Sequence, residues 1–198
     1  MSDETRTYRL QRRAQSQEQT RRRITESAVE LHGTIGPSRT SVSAVAALAG
    51  VRRSTVYRHF SDEAALFDAC SSHWAAANPL PDVSVWSRIE SPDERLGVAV
   101  HEMFAFYGRT QSMLENLFRD EMTVPLVRER FAAFRGYFVG ARDALMAGRG
   151  LRGLVRRRTR AALGHAIAFS TWKSLVQEQG LTDAEAAALL AALVAAAG

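Results

Sequence analysis

Apolar residues recur along this chain at helical spacing, and no stretch alternates as a half-buried strand would. Ile24, Ala28, Leu31 and Ile35 mark one face of a first helix, which the Gly33–Pro37 stretch stops. Ser41 is placed to cap a short second helix with Val42, Val45, Ala46 and Ala49 inward, and Gly50 ends it in a tight turn. A third short helix follows over Arg52 to His59, and Ser61 or Asp62 caps a fourth that runs to Ala77. Asn78 to Pro81, with two prolines, reads as a linker. Ser91-Pro92-Asp93-Glu94 then supplies a capping serine, a first-position proline and first-turn acids, and Leu96, Val100, Met103 and Tyr107 continue that face. Met113, Leu117 and Phe118 suggest a separate helix ended before Pro125. Val127, Phe131, Phe134, Phe138, Ala141 and Leu145 step by four and three through the clearest helix of all. Gly148, Gly150 and Gly153 make a loop, Leu163, Ile167 and Leu175 belong to the next helix, and Thr182 caps the last. Residues 1–16 are polar and without apolar period, a loose arm or a frayed extension of the first helix. The pattern predicts an all-α fold of about nine helices.

Composition narrows the class. At 198 residues, 46% apolar and 24% charged, the chain suits a soluble globular protein of one or two domains. The uncharged run Ala186–Gly198 is far shorter than the roughly 20 residues a membrane helix needs, and no apolar signal segment opens the chain. A single cysteine, Cys70, offers no intramolecular disulfide and fits a reducing compartment, so a cytoplasmic location without membrane attachment is expected.

Charge changes the picture more. The first 60 residues carry 11 arginines against 5 acids, whereas the remainder is close to neutral, so the whole excess of +5 lies in the first third. A basic module on a near-neutral body points to a polyanion, nucleic acid first. Arg156-Arg157-Arg158 and Arg160 form a second cluster that reads as a solvated helix start.

Two short helices joined by Leu48-Ala49-Gly50-Val51-Arg52 have the form of a helix-turn-helix: a tight turn needing Gly, small residues where the helices cross, and polar groups on the second helix. The longer string TSVSAVAALAGVRRSTVYRHFSDEAAL resembles the DNA-binding segment of the tetracycline-repressor (TetR) family of bacterial regulators. Gly36, Thr40-Ser41-Val42, Val45-Ala46, Ala49-Gly50-Val51, Thr55-Val56-Tyr57, Phe60 and Leu66 fall in the matching places. The resemblance covers residues 20–75; the rest matches only in length and helical character. Departures are Arg52 where the family has Ser, Ser54 where it has Gly, Glu63 where it has a phosphate-contacting Lys, His32 for Phe, and Pro37 for an aromatic. The organisation expected is a basic arm over 1–16, a helix-turn-helix domain over 17–61, a connecting helix over 62–78 and a ligand-binding, dimerising domain over 79–198.

The residues expected to meet DNA are Ser41, Ser43, Arg52, Arg53, Ser54, Thr55, Tyr57, Arg58 and His59. Arg52 and Arg53 open the recognition helix, where arginine is the commonest bidentate partner of guanine; a phosphate contact is the alternative for each. Thr55 can touch a thymine methyl or a phosphate, and the resemblance gives Tyr57 a backbone contact. Arg58 and His59 add phosphate contacts, with packing on Trp74 or its neighbours the equal alternative for His59, and Ser41 and Ser43 sit where helix N–H groups favour a phosphate. Arg6, Arg9, Arg12, Arg13 and the Arg21-Arg22-Arg23 run can reach phosphates or an adjacent minor groove, a solvated face being the alternative.

The resemblance implies that the second domain binds a small-molecule effector and forms a homodimer through the last two helices. Ala161, Gly164, Ala168, Ala187, Ala188, Ala191 and Ala195 allow close helix approach, and Leu190 and Val194 supply apolar area. The middle helices are rich in soft and aromatic side chains, which suits a flexible hydrophobic cavity as well as an ordinary core. Its expected lining is His101, Met103, Phe106, Tyr107, Met113, Phe134, Phe138, His165, Phe169 and Trp172. No phosphate loop, dinucleotide fingerprint, nucleophile elbow or spaced Cys/His set occurs, so catalytic residues, cofactors and metals are not expected. The function expected is a regulator, a repressor released from a palindromic operator by a hydrophobic or aromatic effector. An effector-independent or architectural DNA-binding protein and an activator of the same fold are the alternatives.

Overall fold

The computed structural model describes the backbone of residues 3–198 and the side chains from residue 7 onward. Among the described residues there are helices and no strand. In chain order they are α1 (Asp3–Thr34), a 3-10 turn (Pro37–Arg39), α2 (Val42–Leu48), α3 (Arg53–His59), α4 (Glu63–Ala77) and the single-turn α5 (Val83–Trp86). Then come α6 (Pro92–Asp120), α7 (Pro125–Met146), α8 (Gly153–Ala166), the single-turn α9 (Phe169–Trp172) running into a π-type turn (Lys173–Glu178), and α10 (Asp183–Ala197). No described helix is long and apolar enough to cross a membrane.

The chain divides into two compact units, Met1–Asn78 with Ser112–Arg128, and Pro79–Gln111 with Glu129–Gly198. The segment Ser112–Arg128 thus departs from the expected boundary at residue 79. The reason is a set of polar bonds at the end of α1. A helix leaves its last carbonyls without partners. Asn116 Nδ2 donates to His32 O (3.0 Å) and Gly33 O (2.9 Å), and Arg119 Nη2 donates to Ile35 O (3.0 Å). Asp120 Oδ2 accepts from the Ser38 amide at 2.9 Å, and Asp120 Oδ1 accepts from Arg119 Nε at 2.8 Å. Burial alone would raise the Asp120 carboxyl, but Arg119 and the Ser38 N–H hold it below its ordinary value. Gly36 makes the turn possible: its φ is 91°, and a Cβ there would lie 2.6 Å from Asp120 and would also overlap Arg119.

The core of the first unit is Ile24 and Ala28 of α1 against Val42, Val45 and Ala46 of α2, Val56 of α3, Phe60, and Leu66 and Cys70 of α4. His32 is buried beside it, its ring centroid 5.3 Å from that of Phe67 and its Nδ1 3.4 Å from Cys70 Sγ. The N-terminal part of α1 joins no core: every side chain from residue 7 to residue 19 is exposed. Of the two sequence readings for residues 1–16, the helix extension is the one observed from Asp3 onward.

In the second unit the aromatic residues of α6 fill the centre, with Trp86, Leu145, Leu163, Ile167, Trp172, Leu190 and Val194 buried around them. Arg95 is buried because its guanidinium has work to do: it donates to Ile89 O and to Ala144 O and Ala147 O at the end of α7. Two expected helices, broken after Tyr107, are one helix, α6. The expected helix through Leu163, Ile167 and Leu175 is interrupted at Ile167. Tyr107 explains how: its hydroxyl donates to Ile167 O at 2.5 Å, satisfying a carbonyl that the break releases. Arg160 bonds Asp143, while Arg156, Arg157 and Arg158 are exposed.

Candidate nucleic-acid interface

The geometry of α2, its turn and α3 follows from four residues. Ser41 caps α2, its Oγ accepting from the Ala44 amide at 3.1 Å, which leaves its own O–H proton for an outside acceptor. Gly50 takes φ 65°, and the paired bonds Val51 N to Ala46 O and Gly50 N to Ala47 O close a Schellman turn. Arg52 stands at the N-cap of α3 in extended conformation without a side-chain capping bond. Asp62 caps α4 through Oδ1 and the Ala65 amide at 2.7 Å, starting the next helix four residues after α3 ends.

α3 docks through Val56, its one buried residue. Arg52, Arg53, Ser54, Tyr57 and Arg58 are exposed, as are Ser41 and Ser43 on α2. Arg53 Nη2 donates to the Tyr57 hydroxyl at 3.3 Å and its guanidinium carbon lies 5.5 Å from the ring centroid, so the two form one paired surface. Thr55 is half-buried. His59 is half-buried with Nε2 enclosed and unpartnered. Burial, then the charges of Arg58 and Arg21, pull its imidazole below the ordinary value. It therefore stands apart from the outward group of Arg53, Tyr57 and Arg58.

Arg21 has a role the sequence concealed. Grouped with Arg22 and Arg23 as a phosphate run, it instead donates Nη1 to His59 O at 2.6 Å and lies 4.3 Å from the Phe60 ring centroid. It therefore ties α1 to the last turn of the recognition helix, where a cation suits the carbonyl end. Nothing in a three-arginine run singles out its first member for a contact 38 residues away. Arg22 pairs with Glu26 at 2.7 Å, and Arg23 is exposed. Among the described residues no cluster of His, Cys, Asp and Glu could hold a metal ion.

The expected effector residues separate. Tyr107 is the hub of a buried aromatic group, with ring centroids at 5.9 Å from Phe106, 5.3 Å from Phe169 and 6.0 Å from Trp172. Phe134 and Phe138 are half-buried on α7, 5.0 Å apart, and the neighbouring Tyr137 hydroxyl lies 3.4 Å from the sulfur of buried Met103. His101 is exposed, and exposed His165 faces the Thr171 hydroxyl at 3.2 Å. Met113 belongs to the first unit, its methyl 3.6 Å from where a Gly33 Cβ would stand. The second unit thus gathers the aromatic residues and leaves both histidines outside them.

Comparison with known proteins bears on the first unit most directly. Residues 24–70 match the family described as bacterial regulatory proteins, tetR family. No curated protein matches the chain. Among solved structures, the chain is similar to a protein from Mesorhizobium loti described as a TetR-family transcriptional regulator, with 18% identity, TM-score 0.62, and 91% of this chain and 96% of that one covered. NalD, the secondary repressor of the MexAB-OprM multidrug efflux pump in Pseudomonas aeruginosa, is similar at 20% identity and TM-score 0.59, over 92% and 97% of the two chains. The multidrug binding protein EbrR, solved with imidazole, is similar at 23% identity and TM-score 0.53, over 87% and 93%. At these identities the likeness is one of fold.

Proposed function

We propose that the chain, whose residues 24–70 match the tetR family of bacterial regulatory proteins, is an operator-binding repressor of that family, released by a small hydrophobic or aromatic effector. The observation that carries the reading is the division of α3: Val56 docks the helix, while Arg53, Ser54, Tyr57 and Arg58 lie on one exposed surface. A short helix presented in this way suits the major groove, with Arg53 reading a base edge and Tyr57 holding the backbone. Two copies related by a twofold axis would read a palindrome with half-sites one helical turn, roughly 34–36 Å, apart. The protein works where the DNA is, in the cytoplasm.

The effector part rests on the second unit, where Met103, Phe106, Tyr107, Phe169 and Trp172 make a polarizable aromatic interior and Phe134 and Phe138 are half-buried on α7. NalD, a repressor of an efflux pump, and EbrR, which binds multiple drugs, share this fold and favour the same reading. A ligand there acts by preferring the conformation that does not fit DNA. The coupling is reciprocal: an effector that weakens operator binding tenfold binds the operator complex tenfold, about 1.4 kcal/mol, more weakly.

The test is to sequence genomic fragments selected by the purified protein, then to titrate thermal-shift hits by calorimetry with and without the recovered operator. A recurrent palindrome and hits weakened by operator are expected. Selection of random fragments would replace the reading with an architectural DNA-binding protein, and hits with one affinity in both states would remove the effector.

A further inference from the structure

Helix α1 begins about 30 Å before its first core residue, Ile24, at 1.5 Å per residue from Asp3. Side chains from residue 7 to residue 19 are all exposed, so no described core holds this stretch helical. A helix of that length is marginal in water by itself, and its charge pattern says what would stabilise it. Residues 5–17 contain Arg6, Arg9, Arg12 and Arg13 and no acid. The side chain of Arg6 lies outside the described residues; Arg9, Arg12 and Arg13 are exposed. At about 100° per residue, Arg9, Arg12, Arg13 and Arg23 share one side of the helix within a sector of about 100°, while Glu18 faces the other way. The extension departs from the point at which Arg21 holds the last carbonyl of the recognition helix.

We propose that this extension is a DNA-tracking element: residues 6–23 lie as a helix along the phosphate backbone of the duplex flanking each half-site. The inference rests on the operator-binding reading above. A helix of about 10–12 Å diameter does not enter a minor groove about 6 Å wide, so the helix body lies on the phosphate rims and its arginines meet the backbone first. From Arg23 to Arg9 the helix spans about 21 Å, or about six base pairs at 3.4 Å each. The element therefore lengthens the site on each side without adding base readout.

Three full-length proteins test this: the native chain, the triple variant Arg9→Ala/Arg12→Ala/Arg13→Ala, and Gln11→Pro, which keeps every charge and breaks the helix. Each is titrated against a long random-sequence duplex over a salt series and footprinted on the selected operator. The triple variant should flatten the slope of log affinity against log salt by about 0.9 per lost contact, two to three contacts per protomer. Its footprint should shorten by about six base pairs on each side, and Gln11→Pro should do most of the same. An unchanged slope and footprint in the triple variant overturn the proposal. So does a native footprint for Gln11→Pro beside a shortened one for the triple variant, since that describes a flexible arm. Loss of selectivity for the operator, with the slope difference intact on random DNA, would sink the repressor reading and leave this element standing.

Discussion

A side chain on the open face of α3 can hold DNA by a base edge or by the backbone, and the two leave different marks on a binding profile. Arg53 in the free protein is paired with the Tyr57 hydroxyl at 3.3 Å, a weak bond that a guanine edge can replace. Arg53→Ala should then lose roughly 1–3 kcal/mol on operator and relax one base position. Tyr57→Phe should weaken binding evenly across sequences, because it removes a positioning contact only. Competition binding with single-base operator variants separates the two; an unaltered preference profile for Arg53→Ala would move that residue to the backbone. His32 makes a second residue-scale prediction, about stability. Burial pulls its imidazole down to about 4, against a modest opposing pull from Asp120. Above pH 6.5 the ring is neutral folded and unfolded, and contributes no pH dependence. Between 6.5 and 4 the unfolded chain takes up a proton that the folded one refuses, so stability falls with pH by about 1.4 kcal/mol per unit, roughly 3 kcal/mol in all. His32→Phe should flatten the thermal midpoint across that window while leaving the loss at lower pH, where Asp120 protonates. A variant that declines as steeply as the native protein would place the acid sensitivity elsewhere.

Elements meet at the end of α1, where Asn116, Arg119 and Asp120 answer carbonyls and an amide that the helix leaves open. Asn116→Ala should cost about 1–3 kcal/mol, since the His32 and Gly33 carbonyls lose their donor. Gly36→Ala should cost a similar amount, roughly 1–3 kcal/mol, through backbone strain at φ 91° and displacement of Asp120 and Arg119. Both break the same clamp, so in urea denaturation the double variant should fall short of the sum by at least about 0.5 kcal/mol. Strict additivity would show that the two act separately. None of this was visible in the sequence, because Asn116 and Arg119 act on residues more than 80 positions away and no local pattern marks them. What was legible was local. Ser41, Gly50, Asp62 and Thr182 carry their caps and turns in their own chemistry, and the structure has each helix start or stop there. The errors came where packing outweighed punctuation. Met113, Leu117 and Phe118 read as a separate helix, but α6 runs unbroken from Pro92 to Asp120, and the glycine inside it, Gly108, costs only about 1 kcal/mol. The break at Ile167 carries no punctuating residue at all, because its partner is Tyr107 across 60 positions. In the candidate interface, likewise, the motif itself points to Arg53 and Tyr57, which the structure leaves exposed, whereas no local pattern marks the diversion of Arg21 to His59.

At the scale of the whole molecule, the proposed twofold assembly makes a demand on α8 and α10. Leu190 and Val194, expected from sequence to supply dimer area, are buried within the subunit instead. The face that α10 leaves open carries Leu189 at 41% exposure and Leu193 at 51%, four residues apart and so on one stripe, and α8 leaves Leu154 at 51%. A twofold axis sets such a stripe against its own copy, so each leucine meets apolar area twice over. Leu189→Glu/Leu193→Glu would place four carboxylates in that contact, which cannot be dehydrated unpaired. Because both side chains face solvent within the subunit, the folded monomer should keep its thermal midpoint apart from the part contributed by assembly. Sedimentation equilibrium should give a monomer. Operator binding should fall with it: a monomer holds one half-site, about half of the roughly 4–10 kcal/mol that separates specific from random DNA, so affinity drops by roughly two to three orders of magnitude. Binding to an isolated half-site should be little changed, since Arg53 and Tyr57 are untouched. A dimer that survives both substitutions would move the twofold contact off α10, and one that dissociates without loss of operator affinity would dissolve the link between palindrome and assembly.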